Sequence, residues 1–171
     1  MCVILGCGLT LAAQGSTEIQ VKAAFLLNFP KFIDWPEGAL NHLKEFKICV
    51  LDDRMPEALA ELIQNEFVGA KPLRSEKKSP TDSLESCQLV YFSSAYTRDV
   101  PAVIRSLDGS PTLTVGEDAT FLRNGGMIRF NTVNKRVRFE INRDAAQHAR
   151  LEISSRLLRL ADVVQNREPG R

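Results

Sequence analysis

A chain of 171 residues that is 44% hydrophobic and 25% charged, with a net charge of +1, has the length and composition of a single soluble domain. It is long enough to build a core without a metal, and its near-neutral balance argues against a dedicated nucleic-acid binder. The charge is uneven, however: from Phe121 onward eleven Lys/Arg stand against five Asp/Glu, so that end carries +6 and residues 1–120 carry −5. Solvated faces account for such a bias, and steering of an acidic partner is the other reading.

Residues 1–15 read as a secretory signal segment. "MCVILGCGLTLAA" is uncharged, matches an h-region in length and is too short to span a bilayer. Ala13-Gln14-Gly15 sets small residues before a cleavage ahead of Ser16, although no basic n-region precedes it. Ile4-Leu5-Gly6-Cys7 offers the alternative of a lipobox, with Cys7 as a lipidated N-terminus. Removal of the segment leaves Cys49 and Cys87, an even pair in an oxidising compartment.

The expected domain covers residues 16–165, with 166–171 a disordered tail. Thr17 and Gln20 form a capping box, and Val21, Ala24, Phe25, Phe29 and Phe32 follow at helical spacing until Pro30 kinks or ends the helix. "FIDWPEG" is a turn holding the single tryptophan, Trp35. "FKICVLDD" is a buried strand, Pro56 opens a short helix through about Phe67, and a weaker strand near Lys71–Ser75 runs into the polar loop "SEKKSPTDSLES". "CQLVYFSS" is a second buried strand, "TRDVPAVIRSL" a helix and "PTLTVGED" another strand. This β-α-β-β-α-β alternation predicts an α/β domain, a mostly parallel sheet flanked by helices.

In "GGMIRFNTVNKRVRFEIN", Gly125-Gly126 permit a tight entry to a hairpin at a half-buried sheet edge. Ile128 and Phe130 alternate with Arg129 and Asn131, and Val137, Phe139 and Ile141 with Arg136, Arg138 and Glu140, so the arginines follow from alternation alone. Asn142 caps a last helix whose stripe of Ala146, Ala149, Ile153, Leu157, Leu160 and Val164 makes one continuous apolar face.

Chemistry is sparse. His42 and His148 lack the neighbours a metal site needs, no nucleotide-binding glycine loop follows a strand, and no nucleophile-base-orienter set is present. The expectation is a protein without catalytic residues, metal or cofactor. Asp52 and Asp53 end a strand where α/β folds bind ligands, but "CQLVYFSS" ends in Ser93-Ser94 and lacks the aspartate a receiver domain requires. A water-exposed strand exit is the plain reading of Asp52 and Asp53. A small-ligand site made with Ser93 and Ser94 is the alternative. Arg129, Arg136 and Arg138 lack the interleaved exposed aromatics of a nucleic-acid surface. Cys49 and Cys87, 38 positions apart, are either a disulfide or two buried thiols.

"VKAAFLLNFPKFIDWPE", "FKICVLDD", "CQLVYFSS", the "GGMIRFNTVNKRVRFEIN" hairpin and "LEISSRLLRLA" resemble, in this order, the YfiR-like family of small periplasmic proteins, from about Glu18 to Val164. The resemblance implies an α/β fold, no catalysis, and a regulator that represses an inner-membrane diguanylate cyclase by binding its periplasmic sensor region. That places it in cyclic di-GMP signalling and biofilm regulation, with an outer-membrane lipoprotein able to sequester it. It also implies that Cys49 and Cys87 match one family disulfide; the second family pair has no cysteines here, so redox sensing through it does not transfer. Candidate contact groups are Phe32, Trp35, Arg129, Arg136 and Arg138, and a homodimer is compatible with this picture. The alternative is a periplasmic ligand-binding module serving another sensor, such as a histidine kinase.

Overall fold

A chain with two runs of unbroken apolar residues, "ICVL" and "LVYF", must cover both sides of the strands they form. The computed structural model, which describes residues 10–164, meets that requirement with helices on both faces of the sheet. Helix α1 (Thr10–Asn28) leads through a 3-10 turn at Phe29–Phe32 into β1 (Ile33–Asp34) and then β2 (Phe46–Leu51). Helix α2 (Met55–Leu62), β3 (Phe67–Val68), β4 (Lys71–Lys77), β5 (Leu89–Phe92), α3 (Val100–Ser106) and β6 (Leu113–Gly116) follow. The chain closes with the hairpin β7 (Ile128–Val133) and β8 (Arg136–Asn142), then α4 (Arg143–His148), β9 (Glu152–Ile153), α5 (Ser155–Leu158) and β10 (Asp162–Val164).

The main sheet has the order β10-β8-β7-β6-β5-β2-β4-β3, parallel except for the β7–β8 and β3–β4 pairs. Alternation then sorts each central strand. Ile48, Val50, Leu89 and Tyr91 face the core shared with α1 and α2, while Cys49, Leu51, Val90 and Phe92 face the core under α3. On the first face Phe25 and Phe29 interlock with Phe130 and Phe139 at centroid distances of 5.1–5.9 Å, which docks α1 on the hairpin. On the second face Cys49 and Cys87 form a disulfide with Cα atoms 5.8 Å apart. On the chain-entropy account, closing this 38-residue separation stabilises the fold by roughly 4 kcal/mol.

Several expected boundaries move. Helix α1 runs through Thr17, so the Thr17–Gln20 box does not start it; residues 10–15 of the expected signal segment continue the helix, and the rest of that segment, Cys7 included, lies outside the described residues. Pro30 ends α1 as a 3-10 turn, as its missing N–H requires. Helix α2 stops at Leu62 rather than near Phe67, because Asn65 turns left-handed (φ 62°) and Phe67 joins β3. Strand β4 extends through Lys77, taking residues expected in the loop.

The last helix is the largest correction. Asn142 does cap α4, accepting from the Ala145 N–H at 3.0 Å, but the helix stops after His148. Arg150 is left-handed (φ 59°), and the Leu151 N–H bonds back to the Ala146 carbonyl, closing the helix end. Ile153 then pairs with Ile33 in a separate two-stranded sheet, and Ser154 caps α5. The spacing of the apolar residues matched a helix, yet those residues serve four short elements. Strand β10 also flanks β8, so the hairpin is not the sheet edge.

The double glycine has two different causes. Gly125 has φ +90°, a left-handed conformation, whereas a Cβ on Gly126 would strike the ring of Phe121, which is fully buried. Gly116 meets the same ring from β6. Gly126→Ala must therefore displace Phe121 and is expected to cost about 1–3 kcal/mol; urea denaturation measures it, and an unchanged midpoint would show that the ring moves freely.

Candidate functional site

Strands β2, β5 and β6 lie side by side and parallel, so their C-terminal ends open together. The chain leaves β2 for β4 on one side and returns to β5 on the other, which makes this the point where open α/β sheets form ligand crevices. A cleft of about 440 Å³ occupies it, lined by Asp52 and Asp53 after β2, Ser93 and Ser94 after β5, and Glu117 after β6, with Lys22 of α1 above them. All the residues of the expected ligand site thus meet in one place.

Their states differ. Asp52 is buried rather than water-exposed: its Oδ1 accepts from the backbone N–H groups of Arg54 (2.8 Å) and Met55, satisfying donors at the start of α2. Asp53 does stand in water, paired with Lys77 at 2.8 Å; the hydrogen bond holds its carboxyl below the usual range and Lys77 above its own. The Ser93 hydroxyl donates to the Leu51 carbonyl at 3.2 Å, tying β5 to β2, and Ser94 is exposed.

The centre of the cleft is a network absent from the sequence reading. Lys22 Nζ lies 2.7 Å from Glu18 Oε1 and 2.9 Å from Glu117 Oε1, and the Tyr91 hydroxyl donates to that same Glu117 oxygen. Burial works against the Lys22 charge, but its hydrogen bonds to Glu117 and Glu18 outweigh burial and raise its pKa. The hydrogen bond from Lys22 holds the Glu18 carboxyl low, and burial, together with the Glu117 charge, pushes the Tyr91 hydroxyl far up. Tyr91 is therefore a fixed donor. The four-residue spacing of Glu18 and Lys22 was a readable signal; Glu117 needed the strand order. The cleft offers charge and hydrogen bonds to a small polar ligand, and among the described residues no three His, Cys, Asp or Glu side chains converge as a metal site.

The hairpin arginines divide. Arg129 faces Glu140 across the strand pair and holds it with two hydrogen bonds (2.8 and 3.1 Å); its side chain is only 19% exposed, so it is not part of a solvated face. Asn131 donates to the same carboxylate at 3.1 Å, and its Oδ1 is the only fully buried side-chain polar atom without a partner among the described residues. Arg136 and Arg138 are exposed and make no ion pair among the described residues. Phe32 and Trp35, expected at the surface, are half-buried against the α1-side core; Trp35 packs edge-on to Phe46 at 5.2 Å and donates to the Pro111 carbonyl at 3.0 Å.

Lys22→Met strands the Glu117 carboxylate, which is 18% exposed. The expected loss is about 2–3 kcal/mol, somewhat below that of a fully buried pair, and Lys22→Met with Glu117→Gln should recover about half of it. The sign with pH follows from the shifts. The raised Lys22 keeps its contribution below pH 10.5 and loses it as pH rises further, while the lowered Glu18 keeps its own above pH 4.5 and loses it as pH falls. The wild-type advantage over Lys22→Met should be flat between these limits and shrink beyond both; a stability difference that varies through neutral pH would contradict this.

The fold and the chemistry can now be set beside known proteins. A solved structure of a conserved domain protein from Vibrio cholerae O1 biovar El Tor strain N16961 superposes with a TM-score of 0.54 at 11% identity, covering 86% of this chain and 60% of that one. The chain thus spans about three-fifths of that protein, and at this identity the likeness is one of fold. A family description, YfiR/HmsC-like, matches residues 19–162, all but the two ends. The chain belongs to the YfiR/HmsC-like family.

Proposed function

We propose that this protein represses a membrane-bound diguanylate cyclase by binding the cyclase's periplasmic sensor region. The observation that carries the reading is the family match over residues 19–162. The exposed, unpaired Arg136 and Arg138 support a protein contact, and the Cys49–Cys87 disulfide fits an oxidising compartment. Repression by binding is a population shift: the regulator acts by its preference for the inactive sensor, and moving an equilibrium from 1:99 to 99:1 takes about 10⁴-fold preference. An outer-membrane lipoprotein that sequesters the regulator would release the cyclase by mass action.

The test is cellular cyclic di-GMP in the native host with and without this gene. Deletion is expected to raise it, and deletion of one membrane cyclase in addition should abolish the rise and identify the partner. No change under both reducing and oxidising conditions would sink the repressor reading.

The convergence of Asp52, Asp53, Ser93 and Ser94 in one cleft favours a second reading, a small-ligand module serving another membrane sensor such as a histidine kinase. A polar metabolite that binds there at 100 times its Kd should stabilise the protein by about 2.7 kcal/mol. Thermal shifts across a metabolite panel, repeated on Ser93→Ala, would show it; a panel without any shift would count against this reading.

A further inference from the structure

We infer that the groove between α1 and the tip of the β7–β8 hairpin docks a short segment of the membrane partner in which apolar side chains are flanked by carboxylates. The inference rests on the repressor reading and names the surface and the chemistry of the contact. The groove encloses about 650 Å³, with Val21 and Phe25 on the helix wall and Val137, Lys135 and Arg136 on the hairpin wall. This volume lies within the range of binding pockets, about 300–1,000 Å³.

Three features point to that occupant. The groove is apolar yet open: Val21 in its wall is 38% exposed. Its floor is stiff, because the Phe25 ring is locked edge-on to Phe139 at 5.3 Å. Its free charge is positive. Glu18, the one acid in the wall, is already committed to Lys22 at 2.7 Å and to the Thr132 hydroxyl at 3.2 Å, while Lys135 and Arg136 pair with no carboxylate among the described residues. Asn134 and Lys135 both adopt positive φ (49° and 61°), a two-residue turn of the kind that fixes hairpin register, so the two cations stand at set positions beside the apolar wall. An apolar side chain seated on Phe25 and Val137 would place a neighbouring carboxylate against Arg136, where a charge-assisted bond forms. Leu62, Phe67, Val133 and Leu160, the other exposed large apolar residues among those described, are not part of the groove lining.

The experiment titrates the isotope-labelled protein with a short synthetic peptide of Leu, Phe, Glu and Asp, and with a matched peptide carrying Lys in place of the acids, following methyl resonances by NMR. The acidic peptide is expected to shift Val21 and Val137 in a saturable way, the basic peptide to leave them still, and Arg136→Glu to weaken binding about tenfold. Val21→Asp, also at an exposed position, should abolish the shifts with the melting temperature retained. Absent or non-saturating shifts, equal responses to both peptides, or shifts centred on Leu62, Phe67 or Leu160 would overturn the inference. Because the peptides replace the cyclase, a negative deletion experiment would remove the repressor reading and leave this result to stand or fall by itself.

Discussion

Burial of both faces of β2 and β5 is the constraint on which the molecule depends. Ile48 and Val50 point one way and Cys49 and Leu51 the other, all fully buried, and neither set can be left in water. One helix layer cannot satisfy both. The chain therefore winds α2 over one side and α3 over the other, and reversing sides around β2 is what opens a crevice at the strand ends. The cleft is a by-product of coverage before it is a site for anything.

Charge is arranged around that core with economy. The buried ammonium of Lys22 is enclosed by Glu18 and Glu117, and Arg129 is locked to Glu140, so the polar groups nearest the sheet are matched in pairs. Lys135, Arg136 and Arg138, which pair with no carboxylate among the described residues, stand together toward the outer end of the hairpin.

Much of this was legible in the sequence where a single physical rule sufficed. Continuous apolar runs identified β2 and β5, alternation identified the hairpin, and Pro30 marked the end of α1. Asn142 capped a helix as expected. Reading failed where two rules competed. The stripe from Ala146 to Val164 fitted a helix, but Ser154 also offered a cap and Ile153 a strand partner in Ile33, and tertiary pairing won. Arg129 looked solvated because alternation says which face a residue takes and nothing of what stands opposite; the register that sets Glu140 across from it is a property of the folded pair. Of the candidate site, the strand-exit residues were readable from topology, whereas Lys22 and Glu117, 95 positions apart, met only through the fold.

The pairing of Ile33 with Ile153, backed by the Ser154 N–H bond to the Phe32 carbonyl at 2.9 Å, carries a consequence for how the chain is made. It joins residues that emerge from the ribosome at nearly opposite ends of synthesis. Strand β1 has no partner until β9 exists, and the aromatic packing of α1 likewise waits for Phe130 and Phe139. Contacts of such long sequence separation form late and slowly. A chain lacking its last third therefore has neither the partner of β1 nor the aromatic partners of α1.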